Sequence, residues 1–114
     1  MENIKDYLIQ VAKQGKVATY SEVNSACELG LDFNNIKDRN IIAEMLGELS
    51  ESEYKSKRPL LSSIVVLKGQ SPLHPADGFH KMAIRLGVNK NQEENTFWVQ
   101  ELGRCFNYWR GKDE

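Results

Sequence analysis

Arg58-Pro59-Leu60-Leu61-Ser62-Ser63-Ile64-Val65-Val66-Leu67 is the one stretch of this 114-residue chain that reads as a buried strand. Six apolar residues, several of them β-branched, are interrupted only by two serines, and Pro59 and Lys68-Gly69 bound the run. Such a pattern predicts a strand covered on both faces. Two covered faces demand other elements to cover them, and the flanking segments supply helices.

Ile4, Tyr7, Leu8 and Val11 recur at i, i+3, i+4 and i+7, predicting an amphipathic helix over residues 3–14 with Asn3 as N-cap and Gly15 as its stop. A short extended piece over residues 16–20 follows. Ser21 is expected to cap a second helix through Val23, Ala26 and Cys27, ended by Gly30, and Leu31 and Phe33 lie in an inward-tucked linker. Asn35 and Asp38 have capping-box spacing and open a third helix with Ile42, Met45, Leu46 and Leu49 on its face and Ile41 alongside. From residue 50 to 57 the pattern is lost, which predicts frayed helix or loop. Beyond the strand, residues 68–75 read as loop from their Gly and Pro content. Asp77 is expected to cap a fourth helix carrying Phe79, Met82, Ala83 and Leu86, with Gly87 and Val88 as a left-handed stop. Asn91 and Glu94 suggest the cap of a fifth helix running to about Arg110. Trp98, Leu102, Cys105 and Trp109 form its stripe, widened by Val99 and Phe106. Lys112, Asp113 and Glu114 are expected to be mobile.

This order predicts an α+β, mostly helical fold: winged-helix-like, with three helices, short strands and a wing loop after Leu67, plus two additional C-terminal helices, in a single domain over 1–114. The formal charge of −1 argues against a strongly basic nucleic-acid binder and leaves local patches to decide. Cys27 and Cys105 make no disulfide framework and read as reduced core residues. No basic-then-apolar leader opens the chain and no apolar run approaches the roughly 20 residues of a membrane span, so a cytoplasmic protein is expected, with no membrane partner.

Lys16-Val17-Ala18-Thr19-Tyr20-Ser21-Glu22-Val23 resembles the opening of the DNA-binding domain of the alkylguanine-DNA alkyltransferases and alkyltransferase-like proteins. That family carries valine-x-threonine-tyrosine-glycine-glutamate at a strand-to-helix turn. The resemblance spans residues 16–67. It implies that Tyr20 lies against DNA backbone, and that Arg39, near the start of a recognition helix, enters the base stack. It also sets Ile64-Val65-Val66 in the place of the family's active-site strand. The loop between Tyr20 and Arg39 is longer than in the family. The family's proline-cysteine-histidine-arginine sequence is missing and neither cysteine lies near the strand, so alkyl transfer is not expected. The Arg58 to Val66 run, with Asp77-Gly78-Phe79 and the tryptophan-rich tail, also looks like small uncharacterised bacterial proteins, a likeness that supplies no function.

Asn34, Asn35, Lys37, Arg39 and Asn40 offer groups that bond base edges and phosphates, at a helix start that itself favours anions. Lys55, Lys57, Arg58 and Lys68 are placed to add phosphate contacts from the wing side. Against this, Glu44, Glu48, Glu51 and Glu53 make the same helix acidic, as in a solvated helix whose asparagines only cap. His74, Asp77 and His80 have residue types zinc accepts, but Asp77 serves more economically as a cap, and no metal is expected. Ser62 or Ser63 with a histidine and Asp77 would supply the residues of a hydrolase triad without the nucleophile elbow, a third-ranked reading. Phe97, Trp98, Phe106, Tyr108 and Trp109 encircle the last helix too widely for one core. Phe97 or Tyr108 is therefore expected at a partner surface if the chain is instead a protein-binding inhibitor or adaptor. The leading reading is a non-enzymatic nucleic-acid-binding module, most readily for DNA, acting as a regulator or accessory factor. Its contact residues would be Tyr20, Asn35, Lys37, Arg39, Asn40, Lys57, Arg58 and Lys68, with no cofactor.

Overall fold

The computed structural model describes residues 3–112, and the expectation for Asp113 and Glu114 lies outside them. In order come α1 (Ile4–Lys13), β1 (Ala18–Thr19), α2 (Tyr20–Ala26), α3 (Ile36–Lys55), a 3-10 turn (Leu61–Ile64), β2 (Val65–Val66), α4 (Asp77–Arg85) and α5 (Glu94–Arg110). The fold is α+β and mostly helical, with one short two-stranded sheet among the described residues.

Every α-helix start but that of α4 is explained by a local donor-acceptor match. Asn3 caps α1 as expected, its Oδ1 accepting from the Asp6 N–H at 2.8 Å. At α2 the cap is Thr19 rather than Ser21. Thr19 Oγ1 accepts from the Glu22 N–H at 3.1 Å and Glu22 Oε1 accepts from the Thr19 N–H at 2.8 Å, a reciprocal capping box. That shift makes Tyr20 the first residue of the helix. Asn35 caps α3, but Asp38 turns away from it and accepts from the Asp32 N–H in the preceding linker at 2.8 Å. Asp77 is the first residue of α4, behind an Ala76 cap that makes no side-chain bond. The carboxylate of Glu93, not Asn91, caps α5 through the N–H groups of Asn95 and Thr96. At the end of α4, Gly87 takes φ +77° and the Val88 N–H returns to the Ala83 carbonyl at 3.0 Å, the expected left-handed stop.

The central run is buried throughout, from Leu60 to Val66. It is not one strand. Residues 61–64 form a 3-10 turn, and only Val65 and Val66 pair, in parallel, opposite Ala18 and Thr19. The reason lies in what surrounds it. Helices α1, α3 and α5 all pack on the turn, and their side chains take the backbone groups a strand ladder would otherwise need. The Leu60 N–H donates to Glu101 at 2.7 Å, the Ser62 N–H to Ser50 Oγ at 3.1 Å, and Trp98 Nε1 donates to the Ser63 carbonyl at 2.8 Å. Apolar faces of α1 to α3 join one core cluster with Leu61, Ile64 and Val65. Leu60 and Val66 join a second with Phe79, Met82, Phe97 and Trp98.

Two helix faces differ from the expected ones. Helix α3 continues to Lys55 because Ser50 and Glu53, polar in the sequence, point inward and are fully buried. On α5, Trp98 and Cys105 are buried and Leu102 and Trp109 pack on the core as expected, but Phe97 and Glu101 join them while Val99 is 58% exposed. Residues 68–75 form a loop, closed by the Leu67 N–H donating to the His74 carbonyl at 3.0 Å. Among the described residues no helix is long and apolar enough to cross a membrane.

Candidate nucleic-acid interface

The capping box that starts α2 at Tyr20 turns its ring inward. The Tyr20 hydroxyl oxygen accepts from the Ala76 N–H at 3.4 Å, tying the start of α2 to the start of α4, and burial pushes its pKa up. Across from it, the first turns of α3 carry Arg39 and, one turn on, Ala43 and then Gly47. The 3-10 turn contributes Ser62, the end of the central run Leu67 and Lys68, and α4 Gly78, Phe79 and Met82. Together these walls enclose a cavity of about 300 Å³. Its floor is apolar, with Ile42, Leu46, Phe79 and Met82, and no acidic side chain among the described residues lines it.

Three of the sequence-predicted contact residues, Tyr20, Arg39 and Lys68, meet at this one cavity. Arg39 and Lys68 are exposed and have no ion-pair or hydrogen-bond partner among the described residues. Asn35, Lys37 and Asn40 are exposed on the same first turns of α3, with Asn35 Oδ1 occupied in capping the Lys37 N–H at 2.9 Å. Lys57 and Arg58 lie elsewhere. Helix α3 has 20 residues, so its ends stand about 30 Å apart. Lys57 sits just past the far end with φ +63°. Arg58 is held by the fully buried Glu53 carboxylate, Nε at 2.9 Å and Nη2 at 2.8 Å, with Lys5 Nζ 3.6 Å away. Lys55 pairs with Glu51 at 3.4 Å, and Arg85 reaches the same carboxylate at 3.6 Å. Of the four acids that seemed to make α3 negative, Glu53 is therefore internal and Glu51 is bridged by two cations. Glu44 and Glu48 remain exposed, and neither lines the cavity.

Other sequence candidates separate. His74 Nδ1 contacts the Pro75 carbonyl at 3.0 Å, His80 is buried, and Asp77 is exposed. No group of three His, Cys, Asp or Glu among the described residues is placed to hold a metal ion. Neither Ser62 nor Ser63 hydrogen-bonds a histidine; Ser62 Oγ lies 2.6 Å from Ser50 Oγ. Both cysteines are buried and outside any disulfide, and neither lines the cavity. Phe97, expected at a partner surface, instead packs in the core with its ring centroid 6.1 Å from that of Phe79. Tyr108 is half-buried, edge-to-face with Trp109, and Lys112 Nζ sits 4.5 Å from its ring centroid.

The cavity itself was not legible in the sequence, because four elements build it. One signal pointed to it. Ala43 and Gly47 stand one helical turn apart, and a side chain added at Gly47 or Gly78 would meet open space. No family model, curated protein or solved structure matches the chain.

Proposed function

We propose that this protein binds nucleic acid, DNA first of all, without acting on it chemically, and holds one unstacked base in the cavity between Tyr20, Arg39 and Lys68. The observation that carries this reading is convergence. Tyr20 and Arg39 were singled out by resemblance and Lys68 by charge, and all three border one cavity free of acidic side chains. A base taken out of the stack needs a close pocket with aromatic or apolar walls, which Tyr20, Leu46, Phe79 and Met82 provide. The volume stands at the lower end of small-ligand sites. Unpaired Arg39 and Lys68 on the cavity wall, with Lys37 exposed on the same first turn of α3, suit the phosphates near that base. In a winged-helix description α3 is the recognition helix and residues 68–75 take the place of the wing. Among the described residues the lining offers Ser62 as its only buried serine hydroxyl and no imidazole or carboxylate to activate it, which favours binding over reaction.

Fluorescence anisotropy with duplex and single-stranded DNA at low salt tests this. Binding is expected at a Kd on the order of 10 μM, weakening with salt. Arg39→Ala and Lys68→Ala should each weaken it, and each lost phosphate contact should lower the salt slope by about 0.9. Lys57→Ala should leave it unchanged. Absence of binding at low salt, or affinity indifferent to both Arg39 and Lys68, refutes the proposal.

A further inference from the structure

The polar side chains that reach the cavity are Tyr20, Ser21, Arg39, Ser62 and Lys68. Among the described residues no carboxylate, carboxamide or imidazole side chain accompanies them. Arginine and lysine only donate. The Tyr20 oxygen already accepts from the Ala76 N–H, which leaves its own proton to give.

Ser62 is the informative member, since it lies at the buried end and is only 5% exposed. Its N–H donates to Ser50 Oγ at 3.1 Å, and the two hydroxyl oxygens stand 2.6 Å apart. Ser50 is fully buried, and its hydroxyl has no other hydrogen-bond partner among the described residues. The Ser50 proton therefore has one acceptor, Ser62 Oγ; reversing that bond would strand a buried donor. Ser62 accepts from Ser50, and its own proton is left for whatever fills the cavity. From floor to mouth, the pocket offers hydrogen-bond donors.

We infer that the cavity selects an oxo base, such as uracil or hypoxanthine, over the amino base of the same shape, with the Ser62 hydroxyl reading the difference and Ser50 as its positioning residue. This rests on the cavity being a base site. A carbonyl oxygen at the floor completes the Ser62 hydrogen bond. An amino group there can reach only the remaining lone pair of Ser62 Oγ and leaves the Ser62 proton without an acceptor, and sites built on one hydrogen bond reject the mismatched analogue for that reason.

The test uses the full chain and four duplexes differing in one central base: uracil, cytosine, hypoxanthine or adenine. Each is set opposite an abasic site, so that pairing energy does not separate them. Uracil is expected to bind about tenfold tighter than cytosine, and hypoxanthine about tenfold tighter than adenine. Ser62→Ala should bring both ratios below about threefold. Ser50→Ala should shrink the ratios in the same direction, an effect on preference that a purely structural role would not produce. The wild-type ratios need no variant to fold. Equal affinity for oxo and amino bases, with binding intact, overturns the inference and leaves the nucleic-acid reading standing. Survival of the preference in Ser62→Ala overturns the role of Ser62. Failure of all four duplexes to bind overturns the underlying reading, and this inference with it.

Discussion

Arg58 and Glu53 form an asymmetric pair, and the asymmetry predicts which substitution does more harm. Glu53 is wholly buried, while the Arg58 side chain keeps 24% of its surface. Arg58→Leu leaves a buried carboxylate with only Lys5, at 3.6 Å and 43% exposed, to balance it. Stranding a buried charge costs about 3–5 kcal/mol, and the surviving lysine argues for the lower end, about 3 kcal/mol. Glu53→Leu strands the more exposed partner, whose guanidinium can turn to water. The loss there is two charge-assisted hydrogen bonds at 2.8 and 2.9 Å, partly offset by apolar burial, or about 1–2 kcal/mol. Replacing both with leucine removes both charges together, and the double variant should fall within about 1 kcal/mol of the wild type. Urea unfolding followed by tryptophan fluorescence gives the three midpoints, and an unchanged slope licenses their comparison. Arg58→Leu costing no more than Glu53→Leu, or a double variant as unstable as Arg58→Leu, would refute the reasoning. The same series separates folding from binding, because folded Arg58→Leu protein should retain its affinity for DNA.

Burial pushes the Cys105 thiol up to about 12, against a smaller opposing pull from the Ser63 hydroxyl. Its folded value lies above the ordinary thiol value, so its contribution to stability is whole below about pH 9 and lost as pH rises toward 12. Cys105→Ala should flatten that alkaline decline in the unfolding midpoint. Neither cysteine should label with iodoacetamide in the native state at about pH 8, and rapid labelling would mean that a helix face is misassigned. Gly87→Ala places a side chain at φ +77° with nothing within 4 Å to clash, so its cost is backbone alone, about 1–2 kcal/mol. A thermal midpoint within error of the wild type would count against the left-handed stop.

The helices were legible because their signals are local: an apolar period and a cap within four residues of each start. Even the shifted caps follow from local chemistry, since Thr19-Tyr20-Ser21-Glu22 is itself a capping-box sequence. The central run was legible as buried and not legible as a turn. Periodicity cannot separate a covered strand from any other covered segment, and the difference was decided by Ser50, Trp98 and Glu101, on helices distant in the chain. Residues 50–57 read as frayed and Glu53 as part of an acidic face, which misplaced Ser50 and Glu53, and nothing in the sequence marked Glu101 as internal. Each is buried because a partner satisfies it. In the candidate site, the type of each residue was readable and the grouping was not. Lys57 and Arg58 follow Lys55 in sequence, yet a 20-residue helix carries them to the opposite end from Arg39.

The buried carboxylates also change what the formal charge of −1 means. Glu53 meets Arg58 and Lys5, and Glu101, 2% exposed, accepts from Arg104 at 2.6 Å and from the Leu60 N–H. These acids flank the central segment, one anchoring Arg58 ahead of Pro59 and the other Leu60 just after it. They fix the path of the chain into the 3-10 turn, and so the position of Ser62 beneath the cavity. A charge neutralised inside the fold contributes little to the field felt by an approaching polyanion, whereas an exposed, unpaired cation contributes fully within a Debye length of roughly 8–10 Å. Lys37, Arg39 and Lys68 are such cations, the last two on the cavity itself, and no acid among the described residues lines it beside them. The buried pairs take three cations out of play with two acids and so do not raise the net charge; the field at this mouth is set by its own exposed, unpaired cations. Raising ionic strength should weaken DNA binding through Lys37, Arg39 and Lys68 rather than through the full count of fifteen lysines and arginines.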